Sequence, residues 1–153
     1  MLSGLEPMTP GVVDTRIRRF MLFLSGLALL TTLTELGLEN HTDGPLQLVP
    51  WVLCGLGLIS IVPALVRPGR GSLLFLRAIM LGVALGGVVG VGVHLKENFE
   101  FQQEIHPGGA IGNFVGDVLK GAAPLLAPGA LTFAALLALA ATYYHPLLRE
   151  QRG

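Results

Sequence analysis

A chain of 153 residues that is 52% hydrophobic and only 13% charged departs from a soluble domain, where about a quarter of residues carry charge. Ten basic and ten acidic residues cancel, so no whole-chain field draws nucleic acid as a partner. The single cysteine, Cys54, excludes an intrachain disulfide and any paired-cysteine zinc or redox motif.

Residues 1–15 carry Gly, Pro, Ser and Thr without apolar periodicity and read as a loose tail. Arg16, Arg18 and Arg19 then abut an apolar run over about 20–38. About 20 residues at 1.5 Å each cross a hydrocarbon core of about 30 Å, so this run is a span. A cleaved signal peptide is disfavoured, because no small-residue cleavage site follows the run. A second span covers about 47–66, with Pro50 in its first turn, where a missing N–H costs least, and Pro63 marking a kink or an early exit. After the basic turn Arg67-Pro68-Gly69-Arg70-Gly71 a third span runs over about 72–94, with Arg77 able to snorkel back to the interface. The Ala-rich fourth covers about 122–144 and ends at an aromatic pair, Tyr143 and Tyr144. The expected fold is an all-α integral membrane protein, an antiparallel bundle of four transmembrane helices in one domain.

The sorting of charge predicts orientation. Arg16, Arg18, Arg19, Arg67, Arg70, Arg77, Arg149 and Arg152 fall on the side of the termini, and only Lys96 and Lys120 on the other. Eight basic residues against two place both termini in the cytoplasm by the positive-inside rule. Seven of the ten acids fall on the outer side, giving formal charges of 2 − 7 = −5 outside and 8 − 3 = +5 inside.

In the third span Gly82, Gly86 and Gly90 recur four apart and lead to His94, a stripe that lets another backbone approach closely. Ala130, Ala134, Ala138 and Thr142 match it in the fourth span, so the two stripes are expected to pack together, or to serve a homo-oligomer. Val83 would lie off that stripe. The first outer loop holds Asn40-His41-Thr42, which fits the N-x-[ST] glycosylation pattern. In the long loop between spans three and four, Ile111, Phe114, Val115, Val118 and Leu119 recur at helical spacing, predicting a short amphipathic helix over about 110–120, on the membrane surface or capping the bundle.

The densest chemistry is His94-Leu95-Lys96-Glu97-Asn98-Phe99-Glu100-Phe101-Gln102-Gln103-Glu104-Ile105-His106. If helix continues past His94, Glu97 follows one turn on, Glu104 falls on the same side again, and Glu100 pairs with Glu104. Glu35 lies about a turn inside the first span, where an ionisable residue normally faces protein or a wet cavity. Glu35, His94 and Glu97 are the expected centre of a divalent-metal site with nitrogen and oxygen ligands, with Glu100, Glu104, His41 and His106 as further candidates. Haem is disfavoured, since His41 sits in a loop and faces no second axial histidine. Di-iron bundles use two Glu-x-x-His motifs, whereas His94-Leu95-Lys96-Glu97 is a single pair in reversed order. No Ser-His-Asp set, phosphate-cradling glycine loop or H-E-x-x-H motif is present, so an enzyme is not favoured. The leading reading is an accessory or assembly subunit acting through an acidic, histidine-containing outer face, embedded in a lipid bilayer and partnered by a homo-oligomer or a larger membrane complex. A membrane metal-binding protein, or an oligomer passing ions or small solutes, are the alternatives.

Overall fold

The computed structural model describes residues 10–39, 42, 44–107, 115–121 and 125–149, and every regular element among them is a helix. These are α1 (Pro10–Leu38), α2 (Pro45–Val66), α3 (Arg70–Ile105), α4 (Val115–Leu119), α5 (Leu126–Ala141) and α6 (Pro146–Arg149). Three of them, α1, α2 and α3, are long and apolar enough to cross a membrane. The fourth expected span is the shorter α5, whose 16 residues rise about 24 Å.

Several boundaries differ from expectation for simple reasons. Residues 10–15, expected in the tail, belong to α1, because a helix already built by the apolar run extends cheaply through polar residues. Pro45 opens α2 and Pro63 does not end it, since the helix continues to Val66. The largest difference is α3: its 36 residues rise about 54 Å, so it continues eleven residues beyond His94 instead of stopping there. Of the amphipathic helix expected over about 110–120, Val115–Leu119 forms α4, and residues 110–114, with Ile111 and Phe114, lie outside the described residues.

Neighbouring helices meet as α1 with α2, α2 with α3, α3 with α5, and α5 with α1. Leu29, Cys54, Leu76, Met80 and Val83 are fully enclosed among them, together with Ala134, Ala135 and Ala138. Large apolar side chains such as Phe20, Phe23, Leu85, Val88 and Phe133 point outward instead. Small residues inside and a wide apolar girdle outside suit a lipid solvent, in which association depends on close packing more than on burial of apolar area. Across α1 and α5 the buried Ser25 hydroxyl donates to the Ala134 carbonyl at 2.8 Å.

The glycine stripe meets protein only in part, and at α5 only through Gly90. Gly82 faces open space, and Gly86 opposes Leu53 of α2. The close approach to α5 is made by Gly87, where a Cβ would meet the Pro128 carbonyl oxygen at 2.8 Å and the Thr132 nitrogen at 2.9 Å, and by Gly90 against Pro128. Val83, expected off the packed face, lies on it and is fully buried. On α5, Ala134, Ala138 and Thr142 are buried as expected, whereas Ala130 is exposed.

Candidate functional site

The packed helices end in two different ways. At one end, a cavity of about 370 Å³ opens between the end of α1, the start of α2, α3 and the start of α5. Leu53, Val89, Pro128 and Leu131 are among its apolar walls, and His94, Glu97, Glu39, Gln47 and Thr32 supply its polar groups. His94 is there because it lies four residues beyond Gly90, which packs against Pro128, so the histidine shares the protein-facing side of α3. Its Nδ1 is enclosed and has no hydrogen-bond partner among the described residues. The Glu97 carboxylate lies 3.5 Å from that nitrogen, an electrostatic neighbour and not a hydrogen bond.

The other expected ligands disperse. Glu35 is exposed on α1 and does not line the cavity, and Thr31 donates its hydroxyl to the Leu27 carbonyl at 3.0 Å, within its own helix. Thr32, one position on, is the threonine that turns inward. Glu100 pairs with Lys96 at 3.3 Å on the solvent side of α3. Glu104 is exposed, and so is His106, which forms the C-cap of α3. His41 lies outside the described residues, as does Asn40. Among the described residues no three His, Cys, Asp or Glu side chains come together to hold a metal ion. Glu39 and Gln47 are the cavity residues that sequence reading missed. Glu39, one turn beyond Glu35, was visible as a carboxylate at the first span's edge.

Beyond the cavity, α3 stands clear of the other long helices and carries α4 on its side. The Asn98 amide donates to the Val118 carbonyl at 3.1 Å and packs against Gly121. Asn98 and Gln102 are buried in this junction, and Gln102 Oε1 has no hydrogen-bond partner among the described residues. Around this junction Phe101 and Ile105 on α3, and Val115 and Leu119 on α4, stay about half exposed or more among the described residues.

At the opposite end two arginines close the C-terminus of α5. Arg18 of α1 donates through Nη1 to the carbonyls of Ala141 and Tyr143, both at 2.7 Å, while its Nε pairs with Asp14 at 2.7 Å. Arg77 of α3 donates through Nε to the Thr142 hydroxyl at 2.9 Å and through Nη2 to the Thr142 carbonyl at 2.8 Å. The last carbonyls of a helix lack internal donors and carry the negative end of its dipole, so cations are the fitting partners. Arg77, expected to be able to snorkel back to the interface, reaches the C-cap of α5 at Thr142. Burial pushes the neighbouring His145 imidazole below its ordinary value of 6.5; Arg18 and Arg77 act in the same direction, against Asp14.

No family model, curated protein or solved structure matches the chain.

Proposed function

We propose that the protein is a four-span membrane subunit with both termini in the cytoplasm, α5 being the core of the fourth crossing, and that it docks a partner membrane protein through its outer end. The observation that carries this reading is the run of α3 past His94. Eleven residues beyond the packed region rise about 16 Å, more than three turns, and a bilayer does not need them. Three carboxylates and one lysine over 95–105 leave that extension at 1 − 3 = −2, with Phe101 and Ile105 about one turn apart and each about half exposed. Acidic groups around half-exposed apolar anchors fit a basic segment that brings its own apolar side chains, the anchors supplying affinity and the charges orientation. The buried Asn98 contact holds α4 against the extension, so the surface is stiff before a partner arrives.

The test is photo-crosslinking in native membranes, with the reactive residue placed at Phe101 in one sample and at Leu85, in the apolar girdle, in another. A discrete protein adduct from position 101, and lipid adducts from position 85, is the expected result. Lipid or solvent adducts alone at both positions would contradict the proposal.

A further inference from the structure

A second site lies at the Arg77 end. A cleft of about 960 Å³ opens between the start of α3 and the segment that follows α5, and Arg70, Arg77 and Arg149 all line it. No carboxylate lines it among the described residues. Arg70 and Arg77 are seven residues apart, hence on one side of α3 and about 10 Å apart along the helix. Arg77 spends Nε and Nη2 on Thr142, which fixes its guanidinium in place, and Nη1 has no acceptor among the described residues. Leu81, one turn along α3 from Arg77, and Leu139, one turn before Thr142, make part of the lining apolar, and Tyr143, Tyr144, His145 and Leu148 complete it.

The chain accepts local strain to build this rim. Tyr144 is the only non-glycine residue with positive φ among the described residues, at 48°, a left-handed conformation that disfavours a Cβ-bearing residue. That turn sends α6 back so that the Arg149 guanidinium sits 5.4 Å from the centroid of the Tyr144 ring, and Tyr143 meets Tyr144 edge-on at 4.8 Å.

We propose that this cleft holds the phosphate headgroup of an anionic phospholipid, with Arg70, Arg77 and Arg149 as anchors and the acyl chains leaving past Leu81 and Leu139. Guanidinium groups donate in the fork geometry that phosphate oxygens accept. The gradient from arginine and tyrosine to leucine follows the order of headgroup, interface and hydrocarbon in a lipid leaflet. A free phosphate shares the headgroup chemistry but has no use for the apolar wall.

Native mass spectrometry of the full chain in mild detergent, with added phosphatidylglycerol or phosphatidylcholine, tests it. Wild type is expected to retain one phosphatidylglycerol and to release phosphatidylcholine. R70Q/R149Q, which leaves the Arg77 contacts to Thr142 in place, is expected to weaken phosphatidylglycerol retention about ten-fold or more. R19Q/R67Q removes the same charge from exposed residues outside the cleft and is expected to change retention less than about three-fold. Equal loss in both variants would overturn the proposal, because it would reduce the cleft to part of a diffuse basic rim. Displacement of phosphatidylglycerol by millimolar inorganic phosphate would overturn the lipid as occupant, and the expected result is no displacement.

Discussion

The two ends of the packed helices are built on opposite principles. At the Arg77 end, partners far apart in sequence are tied by charge-assisted bonds: Arg18 reaches Ala141 and Tyr143, and Arg77 reaches Thr142. At the His94 end, two enclosed polar atoms, His94 Nδ1 in the cavity and Gln102 Oε1 beside α4, have no hydrogen-bond partner among the described residues. Since an enclosed polar group without a bond costs about 1–3 kcal/mol, the first end contributes stability that the second, among the described residues, does not. Under the proposed function, the second end is the one that takes a partner.

The contrast can be broken most severely by removing the closure of α5. R18Q/R77Q strips four charge-assisted bonds from three carbonyls and a hydroxyl, and an expected loss of about 3–6 kcal/mol should appear as a large fall in thermal unfolding temperature in detergent. An unchanged unfolding temperature would mean that these contacts do not hold the helices. Next in size is the α3–α5 approach. Gly87→Ala places a methyl against the Pro128 carbonyl and the Thr132 backbone, which cannot swing aside, at a cost of about 1–3 kcal/mol. Gly82→Ala meets nothing and should be stabilising or neutral by the same measurement. Similar losses at both positions would show that the interface is out of phase with the one described.

At the His94 end the effects shrink. His94→Gln removes no hydrogen bond and should change stability by less than about 1 kcal/mol. A loss comparable to that of the arginine variant would erase the difference between the ends.

The smallest effect is a pH dependence at the Arg77 end. His145 binds its proton less readily in the folded chain than at its ordinary value of 6.5, so the unfolded chain takes up the proton first as pH falls. Its contribution to stability is therefore complete above about pH 6.5 and is lost as pH falls through the lowered value. Arg18 and Arg77 oppose protonation and Asp14 favours it. The unfolding temperature should drop slightly on acidification, and His145→Asn should remove that component. An identical slope in the variant would assign the dependence to other groups.

The three long apolar helices were legible because about 20 apolar residues match the thickness of a bilayer and need no tertiary information. The interface phase was less so. A four-residue spacing drifts around a helix of 3.6 residues per turn, so Gly86 turns to Leu53 of α2 while its neighbour Gly87 meets α5. Polar composition hid the continuation of α3 past His94, since hydropathy reports where lipid ends and not where helix ends. For the site, His94 and Glu97 were legible from the stripe and the one-turn spacing. Glu35 was misjudged because depth in a span does not say which side of the helix a residue occupies. The arginine closure of α5 joins residues 65 to 125 positions apart, and no local pattern announces such a contact.

The central claim is that the extension of α3 is a docking surface and not merely a long helix. It is tested most directly by the mass of the complex extracted in mild detergent, wild type beside Phe101→Ser/Ile105→Ser, both sides of the comparison having the same unfolding temperature. Wild type should run as an assembly larger than the 16.1 kDa chain in its micelle, and the variant as the lone chain. The same mass for both would contradict the claim.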